Sequence, residues 1–442
     1  MSDYMFMLES HLSPEQNHVV AVMESVAAQA GARAFLAGGA LRDMMGGFPI
    51  RDLDFTIEGN AAKVLKLLEK VHGVREIGEI ENRRAKQVRF TNGVVAEVAQ
   101  AHVARYGKPG RAPEVRPADI RDDLLGRDFT VNSVALSLNR GSRGLLLDPT
   151  NGLSDLERRE LRANSSRTLW DDPSRILRMF RLKARMSMEI DERTLNQYAS
   201  VREAGLEKRI PVQALVDELR RIADEPHPEA VLEALDREKL LAAVSPALTG
   251  SKLNTAGFAR LQKLRQSIPF GVEFPVWNFP LFLSLLTEKL TPKERAAVLK
   301  LPFTRAEIKA LGQLEQKWKK LEKLTKSPKL NKASRVWEAL RDVPGEEILY
   351  LLLRSNERLV QDRVRNYLHR LLPMAQEVTD AAVAKEGLDP GSAKFRAAKD
   401  ELIRARLDAR VKKAAQESAP PAAAAAPGGR REEPAHGLRS HR

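Results

Sequence analysis

The sequence of 442 residues contains no cysteine. That excludes disulfide bridges and thiolate metal sites, and it fits a reducing, cytoplasmic setting. It also lacks any run of about 18 apolar residues of the kind that crosses a bilayer as a helix. No membrane partner is therefore expected. The opening segment MSDYMFMLESHLSPEQ has acids early and lacks the basic-then-apolar order of an export signal. Internal repeats are not visible. What is present is a globular balance, 43% hydrophobic and 30% charged, on a chain long enough for two or three domains.

Charge is the first positive signal. The net charge is +14, from 73 Lys and Arg against 59 Asp and Glu, which suggests a polyanionic partner. The surplus concentrates between Lys289 and Arg335, where 14 basic residues face 4 Glu. A charge run alone is most often a solvated helix face, so its meaning depends on what precedes it.

Ser13-Pro14-Glu15-Gln16 is a helix start, with Ser13 as cap and Pro14 at the first helical position. Val19, Val22, Met23 and Val26 then share a face, and Gly31 ends the helix. Residues 33–37 read as a strand, followed by Gly38-Gly39 and a short helix. Asp52–Ile57 reads as a second strand. Residues 60–72 form an amphipathic helix with Ala61, Val64, Leu65, Leu68 and Val71 inward. Strand-like runs follow near 75–80, 85–90 and 93–99. The first 140 residues thus read as a mixed α/β domain on a small sheet. From about residue 153 to 380 one helix follows another, residues 395–415 look like a charged helix, and the low-complexity tail from Ser418 is expected to be disordered.

Four elements carry chemistry. In Gly38-Gly39-Ala40-Leu41-Arg42-Asp43, two glycines between strand and helix let backbone N–H groups approach an anion, and Arg42 adds a full charge, which suits a triphosphate. By itself it is also an ordinary strand-to-helix turn. In Asp52-Leu53-Asp54-Phe55-Thr56-Ile57, strand alternation puts Asp52, Asp54 and Thr56 on one face. Adjacent carboxylates repel, and a pair of Mg²⁺ ions gives them a reason to coexist: hard cations take oxygen ligands and can clamp a phosphoryl transfer. Glu97, an acid amid apolar residues, can be a third carboxylate there, as ligand or base, or can pair with an Arg.

In Arg127-Asp128-Phe129-Thr130-Val131-Asn132, a helix would put Asp128 and Asn132 one turn apart. The cluster suits ribose hydroxyls and phosphate, or is a capped helix with a salt bridge. In the run from Asp171-Asp172-Pro173-Ser174 to Arg181, Asp172, Arg175, Arg178 and Arg181 recur every third residue as a polar ridge opposite Ile176, Leu177 and Phe180. A fixed Asp–Arg pair presents acceptors and donors in a plane, suited to reading a base edge. It is equally an i,i+3 ion pair.

Taken in order, GGALRD (38–43), DLD (52–54), RDFTVN (127–132), DPTNGLSDLERRELR (148–162) and DDPSRILRMFR (171–181) resemble the class II tRNA nucleotidyltransferase and bacterial poly(A) polymerase family. PVQALVDELRRIA (211–223) looks like that family's neck. The resemblance implies an α+β, polymerase-β-like head over 1–150 and a helical neck over 151–250. A basic body and tail over 251–380, a charged helical extension over 381–417 and a tail over 418–442 would follow.

It also implies roles. Asp52 and Asp54 would bind two Mg²⁺ ions, with Glu97 beside them. Gly38, Gly39 and Arg42 would hold the triphosphate of CTP or ATP, and Arg127, Asp128 and Asn132 would lie near its ribose. Asp172 and Arg175, supported by Arg178 and Arg181, would pair with the base. Independently of the resemblance, the basic helical run from Lys289 to Arg335 suggests that Lys317, Lys319, Lys320 and Lys323 would hold RNA phosphates. The acceptor would be the 3′ end of tRNA, with mRNA or other RNA 3′ ends, as for a poly(A) polymerase, the closest rival. CC-only or A-only addition is a further alternative. A non-catalytic RNA-binding protein is another, against which the two retained carboxylates argue. The chain departs from the family pattern at Gly126 (usually Arg), at His102 and Ala104 (usually Arg and Glu) and at Asp171 (usually Glu).

Overall fold

A computed structural model describes residues 3–80, 85–384 and 392–417. The tail expected to be disordered, 418–442, lies outside them. The chain divides into two compact units. One comprises residues 1–266 and 276–317, the other 267–275 and 318–442.

The first unit begins with α1 (Asp3–His11) and α2 (Pro14–Ala30). The α2 start is a full capping box between Ser13 and Gln16, and it ends on Gly31 at φ +70°. A seven-stranded sheet follows. Its strands are β1 (Arg33–Ala37), β2 (Leu53–Glu58), β3 (Arg75–Ile80), β4 (Ala85–Arg89), β5 (Val95–Gln100), β8 (Ala135–Ser137) and β9 (Leu146–Leu147). Their spatial order is β3-β4-β5-β2-β1-β8-β9. All neighbours run antiparallel except β2 and β5, which are parallel. A separate hairpin, β6 (His102–Arg105) with β7 (Glu114–Pro117), stands beside it.

Helices α3 (Gly39–Met45) and α4 (Ala61–His72) connect the first strands, and α5 (Ile120–Leu125) follows the hairpin. Valines and leucines from α2, α4 and the sheet form the core, with Val19, Met23, Val26, Leu36, Phe55, Ile57, Val64, Leu68 and Val98 essentially inaccessible. Burying such side chains is worth roughly 1.5–3 kcal/mol each, which fixes the strand that carries the acids. Val71, expected to point inward on α4, is exposed. It lies in the last turn of the helix.

Beyond the sheet come α6 (Gly152–Glu157), α7 (Thr168–Asp171), α8 (Arg175–Met186), α9 (Glu192–Glu203) and α10 (Val212–Ala223), then further helices. The expected loss of strands here holds apart from a two-residue parallel pair, Glu160–Leu161 with Glu189–Ile190. In the second unit, helices from Ala333–Leu340 to Ala393–Glu417 dominate.

Candidate active site

The turn after β1 is built by glycine. Gly38 stands at φ +75°, and a Cβ on it would meet Arg127 Nη1 at 3.0 Å and Asp54 Oδ2 at 3.9 Å. A Cβ on Gly39 would meet Arg42 Nη2 at 3.6 Å and Asp54 Oδ2 at 3.7 Å. The glycines therefore keep open a cleft whose walls are Asp54, Arg42 and Arg127.

Asp54 sits on β2 between buried Leu53 and Phe55, so its carboxylate faces away from the core. Its partner in the parallel ladder is Glu97 on β5, between buried Ala96 and Val98, so the two acids share a face. The strand begins at Leu53 rather than Asp52. Asp52 lies in the segment just before it and is exposed. The expectation that Asp52, Asp54 and Thr56 line one strand face holds for Asp54 and Thr56 only. Among the described residues no group of three or more His, Cys, Asp or Glu could hold a metal ion, so Glu97 does not complete such a group with the two aspartates.

Arg127 donates to Asp123 Oδ2 at 2.9 Å, to Thr56 Oγ1 at 2.9 Å and to the Asn132 carbonyl at 3.3 Å. Three acceptors fix its guanidinium. The helical alternative for Arg127–Asn132 is not what forms: a bend leads into a short 3₁₀ turn at Thr130–Asn132 and then β8. Thr130 donates to buried Asp155, and the Thr130 amide bonds to the Arg162 carbonyl, so tertiary partners replace helical ones. Asp128 and Asn132 nevertheless meet, with Asn132 Nδ2 donating to Asp128 Oδ1 at 2.9 Å. Asp128 also accepts from the Phe129 amide at 2.8 Å and from Arg178 Nη1 at 2.5 Å. Burial works against its charge, but Arg178 and Arg175 and the bonds from Asn132 and Arg178 outweigh it. Its carboxyl is held well below the usual carboxylate range.

On α8 the ridge of arginines is real and half sunk. Arg175 Nη2 donates to the Tyr106 hydroxyl at 3.1 Å, and its guanidinium stands 5.6 Å from that ring's centroid. Arg175 Nε and Asp172 Oδ2 are 3.6 Å apart, an ion pair beyond hydrogen-bond length. Asp172 Oδ1 instead accepts from Ser174 N and Oγ, which ties down the turn before α8. Arg181 is buried between Glu218 and Glu225, at 2.5 and 2.8 Å.

Residues 34–162 match the poly A polymerase head domain. An A-adding tRNA nucleotidyltransferase of Aquifex aeolicus is 28% identical over 350 residues, 77% of this chain and 40% of that protein. Another, of Halalkalibacterium halodurans, is 27% identical over 393 residues, 88% of each chain. The chain thus spans well under half of the first relative and most of the second. A solved CCA-adding enzyme in an apo form has a TM-score of 0.54 at 20% identity, covering 95% of this chain and 99% of that one, a likeness of fold.

Within the matched segment, the cleft joins Gly38, Gly39, Arg42, Asp54, Arg127 and Asn132, all singled out in the sequence. Five groups around it were not: Asp43, Asp123, Arg185, Glu218 and Glu225. Asp123 holds Arg127 and also accepts from the His102 amide at 3.0 Å. Asp43 was visible as the last residue of GGALRD. Glu218 had a weaker signal, an acid that falls on the apolar stripe of α10 with Leu215, Leu219 and Ile222.

Proposed function

We propose that this chain adds nucleotides to the 3′ end of tRNA, taking CMP and AMP from CTP and ATP by metal-assisted phosphoryl transfer in a cytoplasmic setting. The observation that carries this is the cleft in which Asp54 faces the Gly38-Gly39 turn between Arg42 and Arg127. The donor set suits Mg²⁺: hard oxygens, few in number, with glycines leaving room for phosphate and water to complete the shell. Asp52 and Asp54 would hold two such ions, which when bound supply a more acidic RNA 3′-hydroxyl and charge neutralisation at the leaving pyrophosphate.

The chain's own residues do the rest. Arg42 and Arg127, pinned by Asp43, Asn132, Asp123 and Thr56, present guanidinium groups to the triphosphate at little cost in ordering. Glu97, across the ladder from Asp54, can accept the proton of the attacking hydroxyl. Asp172 and Arg175, at the entry to α8, offer an acceptor edge and donors to the base. Lys317, Lys319, Lys320 and Lys323, all exposed on the helix Arg305–Lys326, offer charge to the RNA backbone.

The test supplies purified protein with Mg²⁺, tRNAs lacking A, CA or CCA, a poly(A)-type acceptor, and each labelled nucleotide in turn. Incorporation of C, A or both on tRNA supports the proposal and fixes its scope. Preference for the poly(A)-type acceptor makes it a poly(A) polymerase. Binding of tRNA without incorporation makes it a non-catalytic RNA-binding protein.

A further inference from the structure

Nine side chains close a ring through the interior of the first unit. Arg42 Nη1 donates to Asn132 at 2.6 Å, Asn132 to Asp128 at 2.9 Å, and Asp128 accepts from Arg178 at 2.5 Å. Arg178 Nε faces Glu218 at 3.9 Å, and Glu218 accepts from Arg181 at 2.5 Å. Arg181 and Arg185 both donate to Glu225, at 2.8 and 3.2 Å. Arg185 Nη2 reaches Asp43 at 2.7 Å, and Asp43 accepts from Arg42 Nε and Nη2 at 3.0 and 2.8 Å, which closes the circuit.

Glu225 is the hub. It is 1% exposed and takes bonds from three arginines of separate purpose. Arg51, at 3.3 Å, is the neighbour of Asp52 in the segment entering β2. Arg181 belongs to the α8 ridge. Arg185, on the same helix, passes the contact to Asp43 and so to Arg42. The Glu225 carboxylate accepts from Arg51, Arg181 and Arg185. A buried ionic network this large is a poor stabilising device, because apolar side chains of like volume do as well or better. Its distinctive property is directional: charged hydrogen bonds from guanidinium groups that each bridge two carboxylates, as Arg181 and Arg185 do, fix orientation as well as distance.

Resting on the function proposed above, we propose that Glu225 is a positioning residue for nucleotide choice, setting the base-reading helix against the phosphate-binding turn and the catalytic strand together. The identity of the base accepted then depends on a carboxylate that touches neither base nor phosphate.

The test compares wild type, Glu225→Gln, Arg42→Lys and the double variant, with Glu189→Gln, an exposed partner of Lys183, as control. For each, kcat and KM are measured with all four nucleoside triphosphates on a truncated tRNA, and thermal unfolding is recorded. Equilibrium dialysis with ATP and GTP reads discrimination without turnover, so a wild type that fails to extend tRNA overturns the proposed function while this inference is still judged. Glu225→Gln is expected to stay folded, to lose tenfold or more in kcat with KM for tRNA unchanged, and to narrow the preference among nucleotides at least tenfold. Its loss and that of Arg42→Lys should combine to less than their product, since the ring couples groups that do not touch. Glu225→Asp should recover part of the preference and Glu189→Gln should behave as wild type. Should Glu225→Gln not fold, Arg185→Lys, which keeps the charge and loses the fork, is expected to show the same pattern. Wild-type preference in these variants, or losses that simply multiply, overturns the inference.

Discussion

At Gly38 the backbone has φ +75° and ψ −120°, a conformation essentially reserved for glycine. Gly38→Ala therefore combines strain of about 1–3 kcal/mol with a Cβ at 3.0 Å from the Arg127 guanidinium. The expected outcome is a lower Tm and a raised KM for nucleotide, measured by calorimetry and steady-state kinetics. An unchanged KM would separate Arg127 from the triphosphate. Asp128 makes a different prediction. Its carboxyl is held below the usual range by Arg178 and Arg175 despite burial, and Glu218 is likewise lowered by Arg181 and Arg178 against the same penalty. Groups with depressed folded-state values contribute stability above their unfolded pKa, near 4, and that contribution is lost as pH falls through the folded value. Stability should thus decline with acid below about pH 4, and Asp128→Asn should flatten that decline. By leaving the partly buried Arg178 with only its longer contact to Glu218, the same change should lower stability at neutral pH, read by denaturant unfolding.

Among the elements, α2, β3 and α4 were legible nearly to the residue, because capping boxes, terminal glycines and apolar stripes are local signals. The segment 127–138 was not. Its spacing of Asp128 and Asn132 fits a helix, but Arg162 and the β1 edge claim its backbone and Asp155 its Thr130 hydroxyl, all distant in sequence, for a 3₁₀ turn and a strand. The site was legible where one motif suffices, at Gly38, Arg42 and Asp54. Glu225 was hidden because its three partners come from positions 51, 181 and 185, which no sequence window joins.

The start of α8 carries its own test. As base-reading groups, Asp172 and Arg175 would leave a mismatched base unpaired at roughly 1–3 kcal/mol. Arg175→Ala should raise KM for the correct nucleotide and erode rejection of UTP and GTP with little change in Tm. Unaltered kcat/KM ratios across the four nucleotides would reduce the pair to a structural contact of α8 with Tyr106. For the helix Arg305–Lys326, Leu311, Leu314 and Leu321 are buried while Lys317, Lys319, Lys320 and Lys323 are exposed. Reversing those four lysines to Glu should weaken RNA binding and lower the log–log salt slope by roughly 0.7–0.9 per lost phosphate contact. A slope equal to wild type would put the RNA elsewhere.

For the molecule as a whole, a net charge of +14 and a head whose acids face a cleft between arginines are two halves of one electrostatic arrangement. On the proposed function, the basic surplus would gather RNA and nucleotide, both polyanions, and cations held at Asp52 and Asp54 would lie where the two anions must meet. No helix among the described residues is long and apolar enough to cross a membrane. The most direct measurement is single-turnover extension of a tRNA lacking its 3′ end, with wild type and Asp54→Ala side by side in Mg²⁺ and in excess chelator. The account predicts added nucleotides with wild type in Mg²⁺ alone, and none with Asp54→Ala, although both bind tRNA and unfold at similar temperatures. Extension by Asp54→Ala, or by wild type in chelator, would contradict it.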